Sequence, residues 1–464
     1  MSTPTIQSIS LDISSLKAGY SDGRFSPIDV VKEVYRRIDL RGEDNVWTVK
    51  VGLDAAIQRA ESLVSGQSDA LPLYGIPFSV KDNIHVQGLP TTAGCPSFSH
   101  FPEQTAKVVT KLLSAGAILI GKNTMDQFAT GLVGIRSPGY PVNPFNSDYI
   151  PGGSSSGSGV AVSVGLVSFS LGSDTGGSGR IPAALNNIVG LKPTPGLIST
   201  HGMIYANRSF DCVPVFALTC ADAWTVFEQA SDVDIRDPFL RANQTCIDSI
   251  PRSLSALRIG VPDQISRKFF GDSLAEGCFN EAIVKAQSLG AHLTEVDFTH
   301  FIEAGKMLFD GPLLAERFAS IAPFLEANPN EVNSNVKSIV EKAKSYTAVD
   351  LCKEYYRITE LKALTRETFS SVDILMVPTA GTIYKINEVE SDPINLNTNM
   401  GYYTYFANIL QLSVIAVPTD IRDDGLPFGI CFLGAAQQDS ALAEIGELWQ
   451  RSTNLALGDR ARAG

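Results

Sequence analysis

Two glycine-serine runs lie close together in this chain, and both adjoin apolar sequence. "IPGGSSSGSG" occupies residues 150–159 and "GSDTGGSGR" residues 172–180. Runs of this composition usually make flexible linkers. Here "VAVSVGLVSFSL", residues 160–171, joins them. Apolar flanks place both runs against a core. Glycine there relieves crowding and lets backbones approach each other. The question is whether one of these serines is a nucleophile.

Around the runs, strand and helix patterns alternate. "SPIDVVKEVYRRIDL", 26–40, reads as a helix with Ser26 as N-cap, Pro27 in the first turn and Val30, Val31, Val34 and Ile38 on one face. Residues 103–116 read as a helix and Ala117–Ile120 as a buried strand. "ALRIGVP", 256–262, opens a strand–helix–strand unit. "VDILMVPT" (372–379), "LSVIAVPT" (412–419) and "LPFGICFLG" (426–434) read as buried strands, and "SALAEIGELWQRS" as a closing helix. This alternation implies an α/β fold, a sheet covered by helices on both faces. Without a dividing linker or repeat, the expectation is one domain over 1–464, with a helical insertion near 301–365. No separate C-terminal domain is expected.

Composition excludes several partners. A net charge of −12 argues against nucleic acid, which needs a basic face. The longest apolar-rich stretch, 159–171, is broken by serines and Gly165 and is too short to span a bilayer. The first twenty residues lack a basic start followed by an apolar stretch, so no signal peptide is expected. Seven scattered cysteines with no C-x-x-C pair suggest reduced thiols in a cytoplasmic protein. Neither a metal nor an organic cofactor is implied, since His, Cys and carboxylate spacings give no ligand set.

Three motif matches fall away on context. "GAILIGKN", 116–123, lacks the Ser or Thr of a phosphate loop and has an apolar strand in its middle. "GSGVAV", 157–162, lacks the third glycine of a dinucleotide fingerprint. "GSSSG", 153–157, follows a turn, whereas a nucleophile elbow follows a strand. None of the five histidines adjoins a glycine-serine run. A serine nucleophile needs a base within reach, which turns attention to lysine. Lys81 in "LYGIPFSVKDNI" ends an apolar strand-like stretch. An ordinary lysine is a surface group. Burial disfavours the ammonium form and makes a neutral amine available near pH 7.

The set "GIPFSVKDNI", "PGGSSSGSGVAVSVG" and "GSDTGGSGRIPAALNNIVGLKPT" resembles the amidase signature family over about 70–200. That resemblance implies a mixed sheet and a Ser–cis-Ser–Lys triad. Ser178 is then the nucleophile, Ser154 the bridging serine after a cis peptide bond, and Lys81 the base. Thr175, Gly176 and Gly177 would aim backbone N–H groups at the reacting carbonyl oxygen. A helix starting near Arg180 or Ile181 would add partial positive charge, with Asp174 and Arg180 bracing the loop. A homodimer and a small-molecule amide substrate are also implied.

Three further stretches resemble the allophanate hydrolase subgroup: "MDQFATGLVGIRSPGYPVNP", "YANRSFDCVPVFALT" and "LFDGPLLAERFASI". By that resemblance Arg317 grips a substrate carboxylate and Gly131 passes close to the bound amide. Phe309 stands where the subgroup usually has tyrosine. The expected reaction is hydrolysis of a small acidic amide, allophanate first, releasing ammonia. Biuret or a dicarboxylic monoamide are alternatives. So is the amidase-type subunit of a tRNA-dependent amidotransferase, which shares the triad.

Overall fold

The computed structural model describes residues 6, 9–66, 69–241, 245–247 and 250–459. Part of the N-terminal stretch considered above and residues 460–464 lie outside them. One mixed sheet flanked by helices dominates the molecule. Its strands are β1 (Trp47–Lys50), β2 (Pro77–Lys81), β3 (Ile118–Asn123), β4 (Phe169–Leu171), β5 (Val189–Lys192), β6 (Val215–Ala217), β7 (Arg258–Pro262), β8 (His292–Val296), β9 (Ile374–Pro378), β10 (Ser413–Ile421) and β11 (Pro427–Gly434). They lie in the order β1-β3-β2-β4-β6-β5-β10-β11-β9-β7-β8. β2 runs parallel to both β3 and β4, and β7 parallel to both β8 and β9. The remaining pairings are antiparallel.

Local chemistry explains the elements. Pro27–Arg41 is a helix closed by a capping box: Ser26 Oγ accepts from Asp29 N, and Asp29 Oδ2 accepts from Ser26 N at 2.8 Å. Its Val30, Val31, Val34 and Ile38 are buried, as their spacing predicts. The helix expected over 103–116 is shorter, Lys107–Ser114, and the strand after it runs on to Asn123. β10 likewise extends past Pro418 to Ile421. Between β8 and β9 the chain forms the helices Thr299–Lys306, Leu314–Ala327, Ser334–Glu341 and Ala348–Ser371.

Two interior strands, β2 and β4, position the site. Phe78 and Phe169 are register partners on β2 and β4, and their rings stack at 5.1 Å. Beside them, Ser79 Oγ lies 2.9 Å from Ser170 Oγ, so these hydroxyls inside the core are hydrogen-bonded. Parallel neighbours carry their carboxyl ends to the same sheet edge, where ligands of α/β folds commonly bind. Lys81 ends β2, and the second glycine-serine run begins just after β4. Two segments about ninety residues apart in sequence therefore meet.

The first run folds into the helix Ser156–Ser163, every residue of which is buried. Its glycines are close-approach sites. A Cβ on Gly157 would lie 2.8 Å from Thr124 N, and one on Gly159 3.0 Å from Pro182 Cβ. Side chains larger than hydrogen would push this helix off β3 and off the short helix Ile181–Leu185. That second helix is little more than one turn. It carries much less of a macrodipole than the sequence-based expectation assumes.

Candidate active site

Lys81, Ser154 and Ser178 form one hydrogen-bonded chain. Lys81 Nζ lies 2.7 Å from Ser154 Oγ, and Ser154 Oγ lies 2.8 Å from Ser178 Oγ. The Gly153–Ser154 peptide is cis. Lys81 is fully buried and Ser178 nearly so, at 3% exposure. Burial pulls the Lys81 amine down to about 7, against the opposing pull of Asp126, Asp174 and Asp211. Burial thus makes the neutral amine accessible near neutral pH. Lys81 Nζ also donates to Ser173 Oγ at 2.9 Å, and Ser173 Oγ accepts from Asn83 Nδ2 at 3.1 Å. Those contacts fix the amine's position.

The 174–180 loop is braced by a buried ion pair. Arg180 Nη2 donates to Asp174 Oδ1 at 2.8 Å, both side chains being inaccessible to solvent. Arg180 reaches on to Thr404 O and Asn408 Oδ1. The pairing holds the Asp174 carboxyl below its usual range despite burial. Asp174 also accepts from the Gly177 and Gly179 amides, at 2.9 and 2.8 Å. This corrects the expectation for Gly177, whose N–H is engaged by Asp174. The amides of Thr175, Gly176 and Ser178 have no hydrogen-bond partner in the chain among the described residues. Thr175 is held by its side chain, whose hydroxyl donates to Asp211 Oδ1.

Asp211 and Asp126 are the carboxylates that sequence reasoning misses. Asp211 accepts from Ala206 N at 2.7 Å and Asn207 N at 3.2 Å, and burial pushes its carboxyl up to about 6. Asp126 accepts from Gly134 N at 3.0 Å and Arg136 N at 2.7 Å, and burial raises its carboxyl too. Ser173, which also contacts the amine, lies inside the second run and could have been singled out there. Asp126 and Asp211 lie outside both runs, inside the 125–144 and 205–219 stretches quoted above, where nothing in the residue pattern sets them apart from other carboxylates.

Arg317 projects from the helix Leu314–Ala327 and is 3% exposed. Its Nη1 donates to Thr130 Oγ1 at 3.2 Å, and its Nε has no partner among the described residues. Burial lowers the guanidinium to about 10, with Asp211 pulling the other way, so it stays charged at neutral pH. The guanidinium carbon sits 4.6 Å from the centre of the Phe309 ring, a cation–π contact. Gly131 follows Thr130 at φ +156°, and a Cβ there would lie 2.7 Å from Asp126 Oδ2. Gly131, Phe309 and Arg317 thus border one region. Among the described residues no His/Cys/Asp/Glu group could hold a metal ion, no cysteine is paired and no helix is long and apolar enough to cross a membrane.

A buried lysine-serine-serine chain beside unpaired backbone amides defines an acyl-transfer type of site. The amidase family model matches residues 29–443, and the chain belongs to that family. It is 40% identical over 408 residues to urea amidolyase of Saccharomyces cerevisiae, covering 87% of this chain and 22% of that protein. It is 31% identical to a glutamyl-tRNA(Gln) amidotransferase subunit of Exiguobacterium sibiricum, covering 95% and 97% of the two chains. Its structure is similar to allophanate hydrolase of Kluyveromyces lactis, with TM-score 0.90 and 34% identity over 98% of this chain and 75% of that one. The chain therefore spans about a fifth of the yeast urea amidolyases it matches.

Proposed function

We propose that this protein hydrolyses a small carboxylate-bearing amide, allophanate first, with Ser178 as nucleophile, Ser154 as relay and Lys81 as base. The observation that carries the reading is the 2.7 and 2.8 Å chain from Lys81 Nζ through Ser154 Oγ to Ser178 Oγ. Neutral Lys81 takes a proton from Ser154, and Ser154 takes one from Ser178 as its oxygen attacks the amide carbon. The tetrahedral oxyanion is held by the amides of Thr175 and Gly176, with the Ser178 amide beside them. One donor in such a hole contributes about 3–4 kcal/mol. The relayed proton returns to the leaving nitrogen, ammonia departs, and water cleaves the acyl-enzyme.

Buried Arg317 takes the substrate carboxylate through its unpaired edge, which favours an acidic amide over a neutral one. Gly131 and Phe309 line the same region. The relatives' names fit this substrate. In our reading the protein acts in the cytoplasm as a homodimer, without nucleic acid. Ammonia release from allophanate, biuret, malonamate and longer aryl amides tests it. Turnover of the acidic amides that is abolished by Ser178→Ala and Lys81→Met is the expected result. Preference for bulky neutral amides overturns the assignment of Arg317. Normal turnover by Ser178→Ala overturns the triad.

The second reading is the amidase-type subunit of a tRNA-dependent amidotransferase. It is favoured by similarity to glutamyl-tRNA(Gln) amidotransferase subunits over nearly their whole length. Ammonia released only alongside a second, copurified protein would select it.

A further inference from the structure

Gly176, Tyr405, Phe309 and Arg317 form one continuous stack. A Cβ on Gly176 would lie 2.8 Å from Tyr405 Cδ1, so the tyrosine ring rests directly on the 174–180 loop. Tyr405 packs on Phe309 with ring centres 4.7 Å apart. The Arg317 guanidinium then covers Phe309. The stack runs from the amides that face the reacting carbonyl to the charge that takes the far carboxylate. Its length is fixed by packing. The Tyr405 hydroxyl donates to Asn397 O and accepts from Asn397 Nδ2, both at 3.2 Å, so the ring cannot swing aside without losing two hydrogen bonds. Tyr405 is 5% exposed.

Behind the two rings lies a pocket of about 110 Å³, which they line together with Ile302, Ile339 and Ile394. A single water needs roughly 10–15 Å³ of such free volume, so this pocket has room for several heavy atoms. Lys306, Asp310 and Lys342 stand at its exposed rim, while the wall next to the rings is apolar and suits methylenes.

We propose that Tyr405 and Phe309 are the specificity-determining wall that limits how many methylenes separate the scissile carbonyl from the carboxylate, and that the pocket behind them is room held back from the substrate. The proposal rests on the reading above that Arg317 takes a carboxylate. Removing either ring joins the pocket to the substrate space. Longer dicarboxylic monoamides then fit with the carboxylate still near Arg317.

The test uses the full chain and two readouts. Binding of malonate, succinate and glutarate is measured by calorimetry, and ammonia release from their monoamides by initial rates. The wild type is expected to bind malonate best. In Tyr405→Leu and Phe309→Leu the preference moves toward glutarate by about tenfold or more, the scale on which one or two methylenes discriminate. Tyr405→Phe keeps the ring and so keeps the wild-type order. If Tyr405→Leu fails to fold, Phe309→Leu, at a half-buried position, carries the test alone. Variants that fold, bind malonate and retain the wild-type ratio overturn the wall. A wild type that binds none of the three removes the carboxylate grip and the wall with it. If the wild type binds the diacids but cleaves no monoamide, a shift toward glutarate in the Leu variants still supports the wall and an unchanged order overturns it, while ammonia release from allophanate decides the hydrolase reading separately.

Discussion

Replacing Lys81 by methionine should make the protein more stable at pH 7, though inactive. The ammonium of Lys81 is fully buried, and its ionisation falls from an ordinary 10.5 to about 7. At about 1.36 kcal/mol per unit, that fall corresponds to about 5 kcal/mol by which burial disfavours the charged form. The unfolded chain binds the proton up to pH 10.5, while the folded chain releases it near 7. Stability of the wild type therefore rises with pH between those limits, and the full penalty remains below 7. Methionine removes the penalty. It also removes the bonds from Nζ to Ser154 Oγ and Ser173 Oγ, each contributing about 1 kcal/mol. Neither serine is orphaned, because Ser178 and Asn83 still pair with them. The variant should thus gain about 2–3 kcal/mol at pH 7, and the gain should shrink to nothing, or reverse slightly, by pH 10. Urea denaturation of both proteins at each pH unit from 7 to 10 measures the gap. A gap that stays constant across this range would refute the reasoning, because Lys81 would then hold its proton in the folded state.

Three other outcomes follow from the same geometry. Because only the neutral amine accepts a proton, kcat/KM for ammonia release should climb about tenfold per pH unit below about 7 and level off above it. An acid limb lying two units lower would exclude Lys81 as the base. Thr175→Val removes the hydroxyl that binds Asp211 and should lower kcat by about tenfold with little change in KM. That is less than the roughly 100–1,000-fold of losing a donor outright. Thr175→Ser should restore the rate, and a Val variant with normal kcat would dismiss Asp211 as an anchor. Arg180→Met leaves Asp174 buried and unpaired, so urea denaturation should show a loss of about 3–5 kcal/mol, and a loss under 1 would contradict the brace.

Much of the site is legible in the sequence because its chemistry is concentrated in short segments. Ser154 and Ser178 sit in the two glycine-serine runs, and Lys81 ends an apolar stretch that becomes a fully buried strand. The α/β alternation likewise carries through to the sheet, since buried strands such as Ile374–Pro378 leave plain apolar runs. Strand ends are harder to read. The 118–123 strand continues through Gly121, Lys122 and Asn123, a polar ending that looks like a loop. Tertiary pairing overrides it: Lys122 is buried because Asp82 lies 3.0 Å away. Asp126, Asp211 and Tyr405 are illegible for a related reason. Asp211 and Tyr405 act on segments far away in sequence, and Asp126, whose carboxylate takes the nearby Gly134 and Arg136 amides, meets the field of Lys81 only through the fold, so spacing alone does not reveal these roles. Gly177 reads as a free donor only while Asp174 is assigned to Arg180 alone, since the same carboxylate also takes the Gly177 amide.

The pairing of β2 with β4 has a consequence for how such a protein can diversify. Lys81 and the 172–180 run are fixed by paired interior strands of the sheet. Arg317 and Phe309 come from the helical excursion between β8 and β9, and Tyr405 from the segment before β10. On the proposed reading, the bond-breaking groups and most of the parts that choose the molecule, Gly131 excepted, are therefore carried by separate stretches of chain. Descendants of one ancestor could exchange the second set while leaving the first untouched.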